Sequence, residues 1–229
     1  MRNRSHQPLK KFGNRYYYDK LGEIADPKRA ALLIINMQND HCNPGGYYEK
    51  MGFDVSMHRE IIPRVSHLAQ SARKAGVLII HLQHTIIPGF IEDSPPLLGI
   101  YVSLGADIER PLSFHDIEGT WGHQIIDQLK PQEGDFIIKY NRLDPFIGSN
   151  LEQQLRSHLI ESLILCGNET QEVVQTGKSR DFYRVMVKDC VASTKQEYHE
   201  HTLRLMGDKV PDFPLVDSSE ITAIWAQKR

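Results

Sequence analysis

Cysteine is scarce in this sequence: three in 229 residues, at positions 42, 166 and 190, with no CxxC spacing. An odd, scattered set excludes a disulfide framework and a cysteine-rich zinc site, and fits a reducing compartment, so a cytoplasmic location is expected. Long apolar runs are also missing. Nothing approaches the roughly 20 residues that span a bilayer, and mean hydropathy is −0.41. The opening MRNRSHQPLKKFGNRYYYDK is basic but has no apolar segment of the kind a secretory leader needs. There is no excess of one charge: 27 Lys plus Arg stand against 29 Asp plus Glu. That balance argues against nucleic acid or an anionic membrane surface as a partner. No GxGxxG follows the first apolar run, and neither GxxxxGK[ST] nor GxSxG occurs. Dinucleotide, P-loop and serine-elbow readings thereby lose their main support, and no cofactor is expected.

What is present is a regular alternation. Residues 1–28 form a basic arm with Tyr16, Tyr17 and Tyr18 in a row. It reads either as a solvated terminus or as an arm laid over the body or a neighbouring subunit. Residues 29–229 read as one domain. Ala30–Ile35 (AALLII) and Val77–Ile80 are unbroken apolar runs, the pattern of strands buried on both faces. Glu60–Ala75 has helical spacing and Gly76 supplies a stop. Strands are expected again at Phe136–Ile138, Leu163–Leu165, Val185–Val187 and Phe213–Val216. Helices are expected at Gln124–Leu129, Asn150–Leu159, Thr170–Tyr183 and Gln196–Met206. Asp217–Glu220 resembles a capping box opening a last helix. This order predicts an α/β fold, a doubly wound three-layer sandwich on a six-stranded, mainly parallel sheet. Residues 85–120, rich in proline and glycine, read as a long irregular excursion whose many apolar residues suggest a subunit contact. A homo-oligomer is therefore expected.

In such a sheet a ligand sits beyond the carboxyl ends of the strands. That rule selects Asn36 to Asp40, His81 and His84, Lys139, Cys166 to Thr170, and Asp189 with Cys190. Lys139, directly after Phe-Ile-Ile, is either a cation at the site or a snorkelling lysine. His81 and His84 lack a readable third ligand, so packed, hydrogen-bonded histidines are expected rather than a metal site. Cys166 and Cys190 read as small buried hydrophobes, and Cys42 lies in a turn. Glu169 and Glu172 read either as helix-terminal carboxylates or as general acid–base groups.

ALLIINMQNDHCNPGGY (residues 31–47), the block from Gly119 to Leu151, and LILCGNETQEVVQTG (Leu163–Gly177) resemble the isochorismatase-like, or cysteine hydrolase, superfamily. GGYYEKMGFDVS (Gly45–Ser56) is most similar to its ureidoacrylate amidohydrolase branch. The resemblance implies hydrolysis of C–N amide bonds by an Asp–Lys–Cys triad, with an oxyanion loop over Asn168, Glu169 and Thr170. Carried over residue by residue, the family lysine falls on Lys139, the aspartate on Asn36 and the cysteine on Val173. Valine has no nucleophile, and an asparagine amide does not shuttle protons as a carboxylate does. Three expectations follow. The first is a degenerate member that binds a small carbonyl compound. The second is a hydrolase of a small amide or enol ether that works without cysteine, through Lys139 and a nearby carboxylate. The third is an ordinary thiol amidohydrolase in another register. Under the first, Asn36, Lys139 and Val173 are expected to meet at one small-molecule pocket, with Asp40 or Glu169 as the expected partner of Lys139.

Overall fold

The computed structural model describes residues 10–107, 109–110, 113–209 and 213–227. A hairpin, β1 (Lys10–Phe12) and β2 (Arg15–Tyr17), and a short helix α1 (Leu21–Ile24) precede the main sheet. β3 (Ala30–Ile35) is buried along its whole length. Two single-turn helices, α2 (Asn39–Cys42) and α3 (Tyr47–Lys50), lead into the long α4 (Ser56–Ala75). Helix α4 ends at Gly76 with φ 73°, a left-handed stop that suits a residue without Cβ. Then follow β4 (Leu78–His84), α5 (Pro95–Ser103), β5 (Phe136–Tyr140), α6 (Leu151–Ser157) and β6 (Ser162–Asn168). The chain closes with α7 (Thr170–Val173), β7 (Tyr183–Ala192), α8 (Gln196–Lys209), β8 (Leu215–Val216) and α9 (Ser218–Gln227).

The six main strands lie in the order β5-β4-β3-β6-β7-β8, and every neighbouring pair is parallel. This is the expected doubly wound α/β sheet. Its two faces carry separate apolar clusters, because successive strand side chains point to opposite faces. Leu32 and Ile34 pack with α4 residues Ile61, Val65 and Leu68 on one face; Leu33 and Ile35 pack with Leu155, Val173 and Tyr140 on the other.

Several elements differ from the sequence reading. Helix was expected through Tyr183, yet α7 stops at Val173 and gives way to turns up to β7. Gln124–Leu129 contributes only a 3-10 turn at Asp127–Leu129. The 85–120 excursion contains α5 and a small core of its own, with Tyr47, Ile86, Tyr101, Phe114 and Ile117 buried together. Ile91, Ile100 and Val102 remain exposed there. Of the three arm tyrosines only Tyr18 anchors: its ring lies 5.2 Å from that of Tyr183, and its backbone N–H donates to the Tyr183 hydroxyl at 3.0 Å. Tyr16 and Tyr17 are exposed. The capping expectation is met in part, since Glu220 accepts the Asp217 N–H at 3.0 Å. No helix among the described residues is long and apolar enough to cross a membrane.

Candidate functional site

The sequence candidates at the ends of β3 and β6 do converge. Ile35 pairs with Leu82 on one side and Gly167 on the other. Gly167 has φ 113°, and a Cβ there would fall 2.1 Å from the Ile35 carbonyl oxygen, so only glycine permits this close approach. The crossing holds Asn36, with φ 51°, beside β6. Asn168 Nδ2 donates to the Asn36 carbonyl at 3.4 Å and lies 3.2 Å from Cys42 Sγ.

Lys139 does not join them. Along β5 the buried positions are Ile138 and Tyr140, whereas Ile137 and Lys139 are exposed. The Lys139 side chain, 52% exposed, pairs with Glu118 and with neither Asp40 nor Glu169. The strand's period of two puts residue 139 on the opposite face, so a one-residue offset in reading exchanges site for solvent. The residue that reaches Asn36 is Tyr140, whose hydroxyl donates to Asn36 Oδ1 at 2.7 Å. Asn36 Nδ2 in turn donates to Glu172 Oε2 at 3.4 Å. Val173 is fully buried in the apolar cluster that includes Tyr140.

The two glutamates behave oppositely. Burial and the nearby Glu169 charge push Glu172 above the ordinary glutamate range. Burial also opposes ionisation of Glu169, but contact with His58 at 2.9 Å and the Thr194 N–H at 2.9 Å outweigh it and hold its carboxyl low. His58 is itself buried, with Nδ1 2.8 Å from the His41 carbonyl. Thr170 is inward as well: its N–H donates to Ser193 Oγ at 3.3 Å and its hydroxyl lies 2.9 Å from His199 Nδ1. Glu169 and Thr170 are thus engaged by protein partners, as is Asn168 Nδ2, whereas the buried Asn168 Oδ1 has no hydrogen-bond partner among the described residues.

A second group, unanticipated from the sequence, adjoins this one. Asp116 is fully buried with φ 54°. Its Oδ2 receives His41 Nε2 at 2.7 Å, His84 Nδ1 at 3.0 Å and His115 Nδ1 at 2.9 Å. Gln38 Nε2 donates to Oδ1 at 2.9 Å, and Asp40 Oδ2 accepts the Asp116 N–H at 2.8 Å. Burial disfavours the charged form of both Asp116 and His41, yet their attraction prevails. Asp116 is held well below the aspartate range, and His41 is raised to about 9. The His84 ring meets that of Tyr140 edge-on at 5.5 Å, which links the two groups. His41, His115 and Asp116 are the described residues able to hold a metal ion. The available signal was the adjacent His115–Asp116 pair just before Gly119; its partners at 41 and 84 are too distant in sequence to be tied to it.

All three cysteines are buried, and burial raises every thiol: Cys42 and Cys190 to about 12, and Cys166 well above the ordinary thiol range. Two surface hollows, about 270 and 420 Å³, share Arg73, and none of their lining residues belongs to the cluster around Asn36.

Comparison with known proteins agrees with this architecture. The isochorismatase domain matches residues 30–211. A cysteine hydrolase from Pseudomonas syringae pv. phaseolicola superposes with a TM-score of 0.76 at 18% identity, over 98% of this chain and 100% of that one. A nicotinamidase from Bacillus subtilis gives 0.64 at 21% identity, over 82% and 100%. An N-carbamoylsarcosine amidase from Thermoplasma acidophilum gives 0.64 at 18%, over 83% and 96%. Identities this low carry the fold and no more.

Proposed function

The chain belongs to the isochorismatase family, and from that premise we propose that it has lost thiol-dependent amide hydrolysis and holds a small carbonyl compound at the carboxyl ends of its strands. The observation that carries this reading is the hydrogen bond from the Tyr140 hydroxyl to Asn36 Oδ1, at 2.7 Å. Where the superfamily resemblance implies a lysine beside a carboxylate, this chain sets a phenol beside an amide. Where it implies a thiol, Val173 contributes only methyl groups to the apolar cluster. All three triad positions are then substituted: Asn36, Tyr140 and Val173. The buried, high-pKa cysteines supply no substitute nucleophile, since the thiolate is the reactive form. The Gly45–Ser56 segment still favours the ureidoacrylate amidohydrolase branch as nearest kin.

A carbonyl ligand would compete for Asn36 Nδ2, now on Glu172, and for the Glu172 carboxyl, which burial keeps toward its neutral, donating form. Glu172 also sustains the second reading, cysteine-independent hydrolysis. That reading now rests on Glu172 as general acid rather than on Lys139. Assembly into a homo-oligomer is part of the proposal, supported by exposed Ile91, Ile100 and Val102; light scattering at micromolar concentration reads it, and a monomer removes it.

The test is an ammonia-release assay with nicotinamide, N-carbamoylsarcosine and ureidoacrylate. Wild type is expected to release none. Turnover at ordinary enzyme rates, roughly 1–10³ per second, overturns the reading. Turnover that Glu172→Gln abolishes and thiol blocking leaves untouched establishes the second reading instead.

A further inference from the structure

We infer that Asp93 and Tyr101 form a subsite for a protonated amine, so that the carbonyl compound bound at the strand ends also carries an alkylammonium group. The carbonyl end rests on the proposed function, and the amine end on three oxygen atoms that the fold buries and leaves bare. Asp93 Oδ1, Asp93 Oδ2 and the Tyr101 hydroxyl are all buried, and none has a hydrogen-bond partner among the described residues. The Asp93 side chain is 1% exposed and Tyr101 is 5% exposed.

Local sequence explains why Asp93 lacks donors from its own segment. It stands just before α5, which opens on Pro95 and Pro96, and proline has no N–H to give. The usual donors to an acidic residue at a helix entrance are thus depleted. Arg142 approaches, with Nη1 3.5 Å from Asp93 Oδ1, but its guanidinium is committed elsewhere. Nη1 donates to the Asn141 carbonyl at 2.9 Å and Nη2 to the Glu92 carbonyl at 3.0 Å. Burial pushes the Asp93 carboxyl up in spite of Arg142 and His84. Burial and the nearby Asp93 charge push the Tyr101 phenol up as well. A buried carboxylate short of partners destabilises the fold that holds it. Groups of this kind persist where a ligand supplies what is missing.

What the three atoms accept defines the missing partner. A primary ammonium has three N–H donors and no acceptor, one donor for each bare oxygen, and its charge offsets that of Asp93. An anion would meet the Asp93 charge, and a neutral group would leave that charge uncompensated. The rings of Phe90 and Phe114 flank Tyr101, at 6.0 and 5.3 Å, and aromatic surface attracts a desolvated cation. The subsite adjoins the strand-end residues. The Tyr101 ring lies 6.4 Å from that of His115, His115 stacks on His84 at 5.6 Å, and His84 meets Tyr140 at 5.5 Å.

Matched amides test this on the full chain, identical but for an ammonium, a methyl or a carboxylate at the far end of a short methylene spacer. Calorimetry at neutral pH reads their binding. The ammonium amide is expected to bind about 10–100-fold more tightly than its methyl counterpart, the range for hydrogen bonds to a charged group. The carboxylate amide should not bind. Asp93→Asn should erase the preference for the cation, Tyr101→Phe should reduce it, and Glu92→Gln, at the exposed neighbour, should leave it intact. Ligand-free Asp93→Asn should also melt higher than wild type, because it removes a buried charge. A lower Tm would show that Asp93 serves only to pair with Arg142, and overturns the inference. Butylammonium, which has no carbonyl, separates the subsite from the proposed function. If it binds through Asp93 while the methyl amide does not bind, the subsite stands and the carbonyl reading falls. If the methyl amide binds and the ammonium adds nothing, water serves the bare oxygens and the subsite is overturned. Failure of every ammonium compound to bind wild type overturns it too, and that measurement stands even where a variant fails to fold.

Discussion

The Tyr140 hydroxyl and the Asn36 side-chain oxygen are 104 residues apart in sequence and 2.7 Å apart in space, and both residues are buried. The bond crosses β4, which lies between β3 and β5 in the sheet. Removing the hydroxyl leaves Asn36 Oδ1 without its donor. Tyr140→Phe is therefore expected to cost roughly 1–3 kcal/mol of stability, the usual cost of a buried acceptor left unsatisfied. Urea denaturation of the two proteins side by side measures it, and a loss near zero shows that water takes the place of the hydroxyl.

Lys139→Ala should behave oppositely. Its ion pair with Glu118 lies at the surface of an edge strand, where such pairs contribute little. The same denaturation measurement should find wild type and variant within about 0.5 kcal/mol. A drop as large as that of Tyr140→Phe would contradict the outward placement.

Restoring chemistry requires all three positions. The triple variant Asn36→Asp, Tyr140→Lys, Val173→Cys should gain a thiol that iodoacetamide alkylates at neutral pH, read by intact-mass spectrometry. Val173→Cys alone should react far more slowly, because without a neighbouring cation burial favours the neutral thiol. In the native wild type, Cys42, Cys166 and Cys190 should stay unlabelled until denaturant is added.

The glutamates give pH dependences of opposite sign. Glu172 has its folded pKa raised, so its contribution is fully present below about 4.5, the unfolded value, and is lost as pH rises through the folded one. Glu172→Gln should remove that alkaline-going loss and be more stable than wild type at pH 7. Glu169 has its pKa lowered, so its contribution is present above about 4.5 and lost as pH falls through the folded value. Glu169→Gln should be less stable than wild type at pH 7, with the difference shrinking in acid. Thermal melts from pH 4 to 8 separate the two, and parallel curves for both variants would refute the assignment.

Much of this protein is determined by local pattern. AALLII can only be satisfied by burial on both faces, so β3 and the parallel sheet around it follow from six residues. Gly76 ends α4 because a left-handed stop suits a residue without Cβ. The ordered family blocks place Asn36, Asn168, Glu169, Thr170 and Val173 in one neighbourhood. What local pattern leaves open is decided by pairing and by distance along the chain. Lys139 and Tyr140 are equally plausible at a strand end until the ladder pairs Gln83 with Lys139 and His84 with Tyr140, which turns the tyrosine inward. Helix α7 stops after one turn although its sequence continues in a helix-compatible way. The Asp116 cluster is the clearest case. His41, His84 and His115 come from the segments after β3, at the end of β4 and in the long excursion, and no spacing rule connects them. Only closure of the sheet and folding of the excursion back onto α2 and α3 bring three imidazoles to one carboxylate oxygen.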